Sequence, residues 1–251
     1  MLFLRSLAFN IVGYSILAFG CVFTSIVGVF SRRATVIIWA DWLLPLFIKA
    51  LKYVGGITIE VRGQENIQTG VALYASKHES ALETYILPTI VKGSAFVLKK
   101  ELTYIPIFGW AQAFYGMIAV DRSAGGAAMK GMLRSAKKRI EENRSVAIFP
   151  EGTRVKPGTK ISYKPGLLFL AQNLKVPVVP VALNTGLFWG KNSFFRYRGK
   201  VIVEFLKPMP DNLDKKEYMS LLEQRIEAKC RELNEESIKK YPWVAANLVK
   251  E

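Results

Sequence analysis

Apolar residues follow two different rhythms along this chain. Residues 7–30, LAFNIVGYSILAFGCVFTSIVGVF, run for 24 positions without a charge. As a helix that is long enough to span the roughly 30 Å apolar core of a bilayer, or to embed deeply in it. A weaker apolar stretch covers 34–54, interrupted by Asp41, Pro45 and Lys49, with Trp39 and Trp42 placed as interfacial anchors. The first stretch reads as a spanning or re-entrant helix and the second as a helix lying at the interface. A cleaved export signal has a shorter apolar core and a small-residue cleavage site. VGVFSRR offers none, and Phe19 ahead of Cys21 is a poor fit to a lipoprotein site.

From about residue 55 the rhythm changes to short β-rich runs separated by helical ones. Strands are predicted at 57–61, 71–76, 94–98, 117–120 and 145–149, then in PVVPVAL and KVIVEF. ESALETYIL reads as a helix ending at Pro88. Met129, Leu133, Ala136 and Ile140 recur at helical spacing within 125–143, and Leu222, Ile226, Cys230 and Leu233 do so within 215–239. Alternating strands and helices predict an α/β fold, a mixed and mostly parallel sheet flanked by helices. An N-terminal membrane-embedded helical segment, 1–54, precedes this α/β domain, 55–251. The two prolines of VPVVPV remove ladder donors and predict an edge or irregular strand. That run also suits the wall of an acyl channel.

Charge narrows the partners. The net charge is +15 and 51% of residues are hydrophobic. A chain both basic and apolar fits an anionic membrane lipid surface better than a nucleic acid. Residues 152–203 hold no Asp or Glu but nine Lys and Arg. Within them, NTGLFWGKNSFFRYRGK interleaves aromatic and basic residues, which would also suit single-stranded nucleic acid; the apolar N-terminus decides for lipid. Arg32 and Arg33 favour a cytoplasmic catalytic domain on the inner membrane. Two cysteines and one histidine make no zinc site, so no metal is expected. Neither G-x-G-x-x-G nor G-x-x-x-x-G-K occurs, against the common nucleotide-using classes.

The sole histidine, His78, lies in KHESALET, two residues past a predicted strand. In open α/β sheets ligands sit beyond the carboxyl ends of strands. Imidazole accepts a proton near neutral pH, and an acid on its other nitrogen would orient it. Residues five apart on a straight helix lie about 140° apart and do not meet. His78 and Glu83 meet only if His78 sits in the turn before the helix. GMIAVDRS places Arg122 at a strand end, able to fork onto an anion. FPEGTR adds Glu151, Gly152, Thr153 and Arg154 after another strand, a set suited to a phosphate or glycerol head group.

Four blocks in this order resemble the 1-acylglycerol-3-phosphate (lysophosphatidic acid) acyltransferases of the glycerolipid acyltransferase family. They are His78 with Glu83, GMIAVDR, an unaltered FPEGTR and VPVVPV. LKKELTYIPIFGW, between the first two, also resembles that family. The likeness covers roughly 63–181. It implies that His78 takes the proton of the sn-2 hydroxyl of lysophosphatidic acid, oriented by Glu83, for attack on an acyl thioester. The donor would be acyl-CoA or acyl-carrier protein, with no separate cofactor and with phosphatidic acid as product. It puts the phosphate near Arg122 and the Glu151–Arg154 block, with Lys100 adding charge. Glu83 stands where the family usually has aspartate. Alternatives are another lysolipid acceptor, such as a lyso-ornithine lipid, a membrane hydrolase acting through Ser80, or a non-catalytic basic membrane-binding protein.

Overall fold

The computed structural model describes residues 1–249. The N-terminal apolar run forms α1 (Leu2–Phe30). The chain turns at Ser31, whose hydroxyl accepts from the Ala34 N–H, and returns along α1. This second arm is helical throughout Arg32–Gly55. It contains α2 (Arg32–Ile37) and α3 (Leu44–Ala50), each followed by a π-helical turn. The first wide turn ends at Leu43, two residues before Pro45, close to where a proline interrupts an α-helical ladder. Both arms are long and apolar enough to cross a membrane. Trp39 is not the expected interfacial anchor. It is buried inside the hairpin, its indole N–H donating to Thr24 Oγ1 at 3.1 Å, whereas Trp42 is exposed.

The remaining elements are β1 (Ile57–Arg62), β2 (Leu73–Ser76), α4 (Glu83–Ile90), β3 (Ala95–Lys99), α5 (Phe108–Tyr115), β4 (Ile118–Val120), α6 (Gly125–Glu141), β5 (Val146–Ile148), α7 (Gly166–Leu174), β6 (Val178–Leu183), α8 (Thr185–Phe188), β7 (Gly199–Phe205) and α9 (Lys215–Lys240). The seven strands make one mixed sheet in the order β1-β7-β6-β2-β5-β3-β4. All neighbours are parallel except β6 and β7. The N-terminal hairpin, α4, α5 and α8 cover one face, where Phe9, Phe47, Ile86 and Phe188 join one buried cluster. Helices α6, α7 and α9 cover the other, where the predicted stripe of Leu222, Ile226, Cys230 and Leu233 is buried. A capping box of Asp214 and Glu217 starts α9.

Two expectations need correction. Helix α4 runs through Pro88 to Ile90 rather than stopping at the proline. Strand β6 is not an edge: it lies between β2 and β7, with all six residues buried. Pro180 is tolerated there because its nitrogen faces the side where β7 has already ended at Phe205. Its carbonyl still accepts the Leu206 N–H at 2.9 Å. One donor is lost rather than a ladder.

Candidate active site

Strands β6, β2 and β5 are parallel neighbours, so their carboxyl ends lie side by side. Each delivers one part of the site. After β2 the chain makes a tight turn and enters α4 at Glu83, which brings Glu83 back under His78. His78 Nδ1 and Glu83 Oε1 are 2.7 Å apart. The same oxygen accepts the N–H groups of Glu79 and Ser80 at 2.8 and 2.7 Å. Thr185, the first residue of α8 after β6, donates its hydroxyl to Glu83 Oε2 at 2.8 Å. All four contacts can be donors, which suits a carboxylate, an acceptor-only group. Glu83 is fully buried and begins a helix, where a negative charge is favoured.

The imidazole stacks on Phe149, centroids 3.8 Å apart, and its side chain is 15% exposed. The loop after β5 holds its main chain: His78 N–H donates to Glu151 Oε1 at 3.2 Å, and its carbonyl accepts the Val155 N–H at 2.8 Å. The ring, one carboxylate oxygen and the His78 peptide groups are thus each held in part by elements outside the KHESALET segment.

Glu79 does not reach the ring. It is fully buried, with Oε2 on the Gly186 N–H at 3.0 Å and no hydrogen-bond partner for Oε1 among the described residues. Burial pushes its carboxyl up to about 8, against the pull of Lys77 and the Gly186 N–H. A side chain at Gly186 would have its Cβ 2.8 Å from Glu79 Cβ, so glycine is required for this approach. Ser80 is fully buried and its hydroxyl accepts from the Leu82 N–H. It offers no exposed nucleophile for the hydrolase alternative.

His78 opens onto a cavity of about 1300 Å³ walled largely by apolar groups of α1, α4, α5, β3 and α6. Gly152, Thr153, Arg154 and Arg122 line it, together with Lys99 and Lys164. Gly152 turns at φ +71°, and Arg154 is half-buried, its guanidinium bonded among the described residues to Asn192 Oδ1 at 3.3 Å. Arg122 is exposed just after β4, three strands from β2.

Two expectations fail. Lys100 does not line the cavity; it faces Asp121, 3.3 Å away, while its neighbour Lys99 lines the rim with its ammonium 3.0 Å from Glu101. Residues 176–181 contribute no lining either, because β6 is central and covered on both faces. Glu151 touches the cavity but is buried, its Oε1 3.3 Å from Lys77 Nζ. Burial pushes its carboxyl up, opposed by Lys77. Lys77, Lys164, Thr185 and Gly186 join the site only in the folded chain. The only sequence signal for the last two is a Thr-Gly pair directly after a strand.

The basic-aromatic run after α8 docks on the start of α1. Phe194 stacks on Phe3, Asn10 donates to the Phe194 carbonyl, and the Arg196 N–H donates to Ser6. The Arg196 guanidinium is buried, 3.8 Å over the Trp189 ring.

Known proteins bear on this arrangement. The family described as Acyltransferase matches residues 58–184. The 1-acyl-sn-glycerol-3-phosphate acyltransferase of Pseudomonas aeruginosa is 37% identical over 177 residues, covering 70% of this chain and 69% of that protein. The enzyme of the same name from Saccharomyces cerevisiae is 32% identical over 182 residues, covering 70% and 60%. Among solved structures, the 1-acyl-sn-glycerophosphate (LPA) acyltransferase of Thermotoga maritima shares the fold, with a TM-score of 0.75 at 22% identity over 93% of this chain and 98% of that one. A family match over half the sequence, and a relative this similar over most of it, establish that the chain belongs to the acyltransferase family.

Proposed function

We propose that the chain moves an acyl group from an acyl thioester, on coenzyme A or an acyl-carrier protein, to the sn-2 hydroxyl of lysophosphatidic acid. The products are phosphatidic acid and a free thiol. The observation that carries this reading is the 2.7 Å contact of His78 Nδ1 with Glu83 Oε1 at the wall of the large apolar cavity. With its proton on Nδ1 and donated to Glu83, the ring keeps Nε2 as the acceptor. Nε2 takes the hydroxyl proton as the oxygen attacks the thioester carbonyl. The tetrahedral intermediate collapses, the C–S bond breaks, and the imidazolium returns the proton to the departing thiolate. Glu83 stabilises that imidazolium without accepting its proton.

Arg154 and Lys164, beside Gly152 and Thr153, supply charge and donors for the lysolipid phosphate, with Arg122 across the opening. The apolar cavity takes acyl chain. Exposed Phe19, Phe23, Ile26 and Phe30 on α1 support seating the hairpin in the inner membrane. Arg32 and Arg33 at its turn support a cytoplasmic catalytic domain.

The test is turnover of purified protein in lipid or detergent with lysophosphatidate and acyl-CoA, then acyl-carrier protein, reading thiol release and phosphatidate. Parent protein turns over, and folded His78→Ala loses the rate by about 10³-fold or more. Full activity in that variant ends the mechanism. Turnover only with another lysolipid reassigns the acceptor.

A further inference from the structure

Lys77, directly before the proposed base, is 1% exposed. Successive side chains at the end of a strand point to opposite faces. His78 therefore faces Phe149 and the cavity, while Lys77 joins the side of Leu73 and Ala75, under α9. There Glu227 of α9 receives it, Nζ to Oε1 2.6 Å. The same Glu227 oxygen accepts the Tyr163 hydroxyl at 2.8 Å. Tyr163 lies in the loop after FPEGTR, beside Lys164, whose N–H is bonded to the Pro150 carbonyl at 2.8 Å. On its other side Lys77 stands 3.3 Å from Glu151 Oε1, the oxygen that accepts the His78 N–H. One carboxylate on the C-terminal helix thus reaches both loops that build the site, from behind the sheet.

Stability alone does not account for such a cluster, because well-packed apolar groups in place of buried ion pairs often leave a fold as stable or more so. What the cluster supplies is position. Lys77 holds Glu151 where it meets the His78 peptide, and Glu227 holds Lys77 and Tyr163.

We infer that Glu227 and Lys77 are positioning residues for the acyl-transfer site, setting the His78 turn and the FPEGTR loop through Glu151 and Tyr163 from behind the sheet, with no residue of α9 lining the cavity. The inference rests on the proposed reaction for its kinetic test but not for its spectroscopic one. His78 is the only histidine in the chain, so a protein labelled with ¹⁵N-histidine gives one set of backbone and ring signals.

Glu227→Gln in full-length protein lowers kcat about 10- to 100-fold, the scale of a small misplacement at a reacting group. KM for lysophosphatidate and for the thioester stays within about twofold, and the His78 signals move although Glu227 does not touch the ring. Glu227→Asp recovers part of the rate. A folded Glu227→Gln with unchanged His78 signals, or with kcat within about twofold of the parent, overturns the inference. Should Glu227→Gln not fold, Lys77→Met/Glu227→Met, which leaves neither of these two charges buried, is read the same way. If the parent itself turns over no lysophosphatidate, the proposed reaction fails and the His78 signals decide this inference.

Discussion

Replacing Glu83 by Gln separates charge from geometry at the proposed base. Glu83 Oε1 accepts three contacts, from His78 Nδ1 and the N–H groups of Glu79 and Ser80, while Oε2 meets only the Thr185 hydroxyl. A glutamine fits this frame in one orientation. Its carbonyl oxygen takes the three donors, and its amide nitrogen faces Thr185, whose hydroxyl accepts as well as donates. The fold and the ring orientation are therefore kept, and what is lost is a full negative charge beside the imidazolium. At about 4 Å between charge centres and an effective dielectric near 20, that charge is worth about 4 kcal/mol. Part is recovered by the amide dipole, so kcat falls by about 10²- to 10³-fold. KM for lysophosphatidate stays within about twofold, because Glu83 does not line the cavity. The assay is thiol release against lysophosphatidate concentration, with the melting temperature measured on the same samples. A folded Glu83→Gln with parental kcat would refute the claim that its charge stabilises the protonated base. A rise in KM at constant kcat would assign Glu83 to binding instead.

Arg154→Ala should raise KM for lysophosphatidate by about tenfold, since Arg154 lines the cavity with one weak side-chain partner among the described residues, while Lys100→Ala should change it by less than about twofold; equal effects would overturn the geometric distinction. Glu79→Gln tests a buried acid. Its carboxyl titrates at about 8 in the fold because burial disfavours the charge, against an ordinary value near 4.5. Between those values the native state binds the extra proton, so stability is full below about 4.5 and declines up to about 8. The glutamine should flatten that decline in a series of melting curves from pH 5 to 9, and an unchanged slope would place the titration elsewhere. Gly109→Ala should destabilise the fold, because the added Cβ would stand 2.1 Å from the Thr103 carbonyl oxygen, and parental melting would show that the 103–109 turn gives way freely.

Much of the candidate site is legible in the sequence because it sits in short segments at strand ends. The His78–Glu83 spacing is meaningless on a helix and sensible in a turn before one, and α4 does begin at Glu83. FPEGTR follows a buried run that forms β5. Other features are not legible because they depend on phase or on distant partners. Lys99 and Lys100 are alike in composition, yet only Lys99 lines the cavity, because β3 ends there and the tight turn that starts at Lys100 carries the next side chain to Asp121. The proline-bearing run reads as an edge because proline lacks a donor, but whether that donor is missed depends on where β7 stops.

The sequence by itself determined the two apolar N-terminal stretches, the alternation of strand and helix, and the residue types at each strand's end. These follow from local periodicity, which records the side of an element that faces away from water. Only the tertiary structure decided that β6, β2 and β5 are neighbours, so that Thr185, His78 and Glu151 converge across a hundred residues of chain. It alone brought Glu227 of α9 beneath Lys77. Strand order and helix docking come from burying many apolar surfaces at once, and no short stretch of residues carries that information.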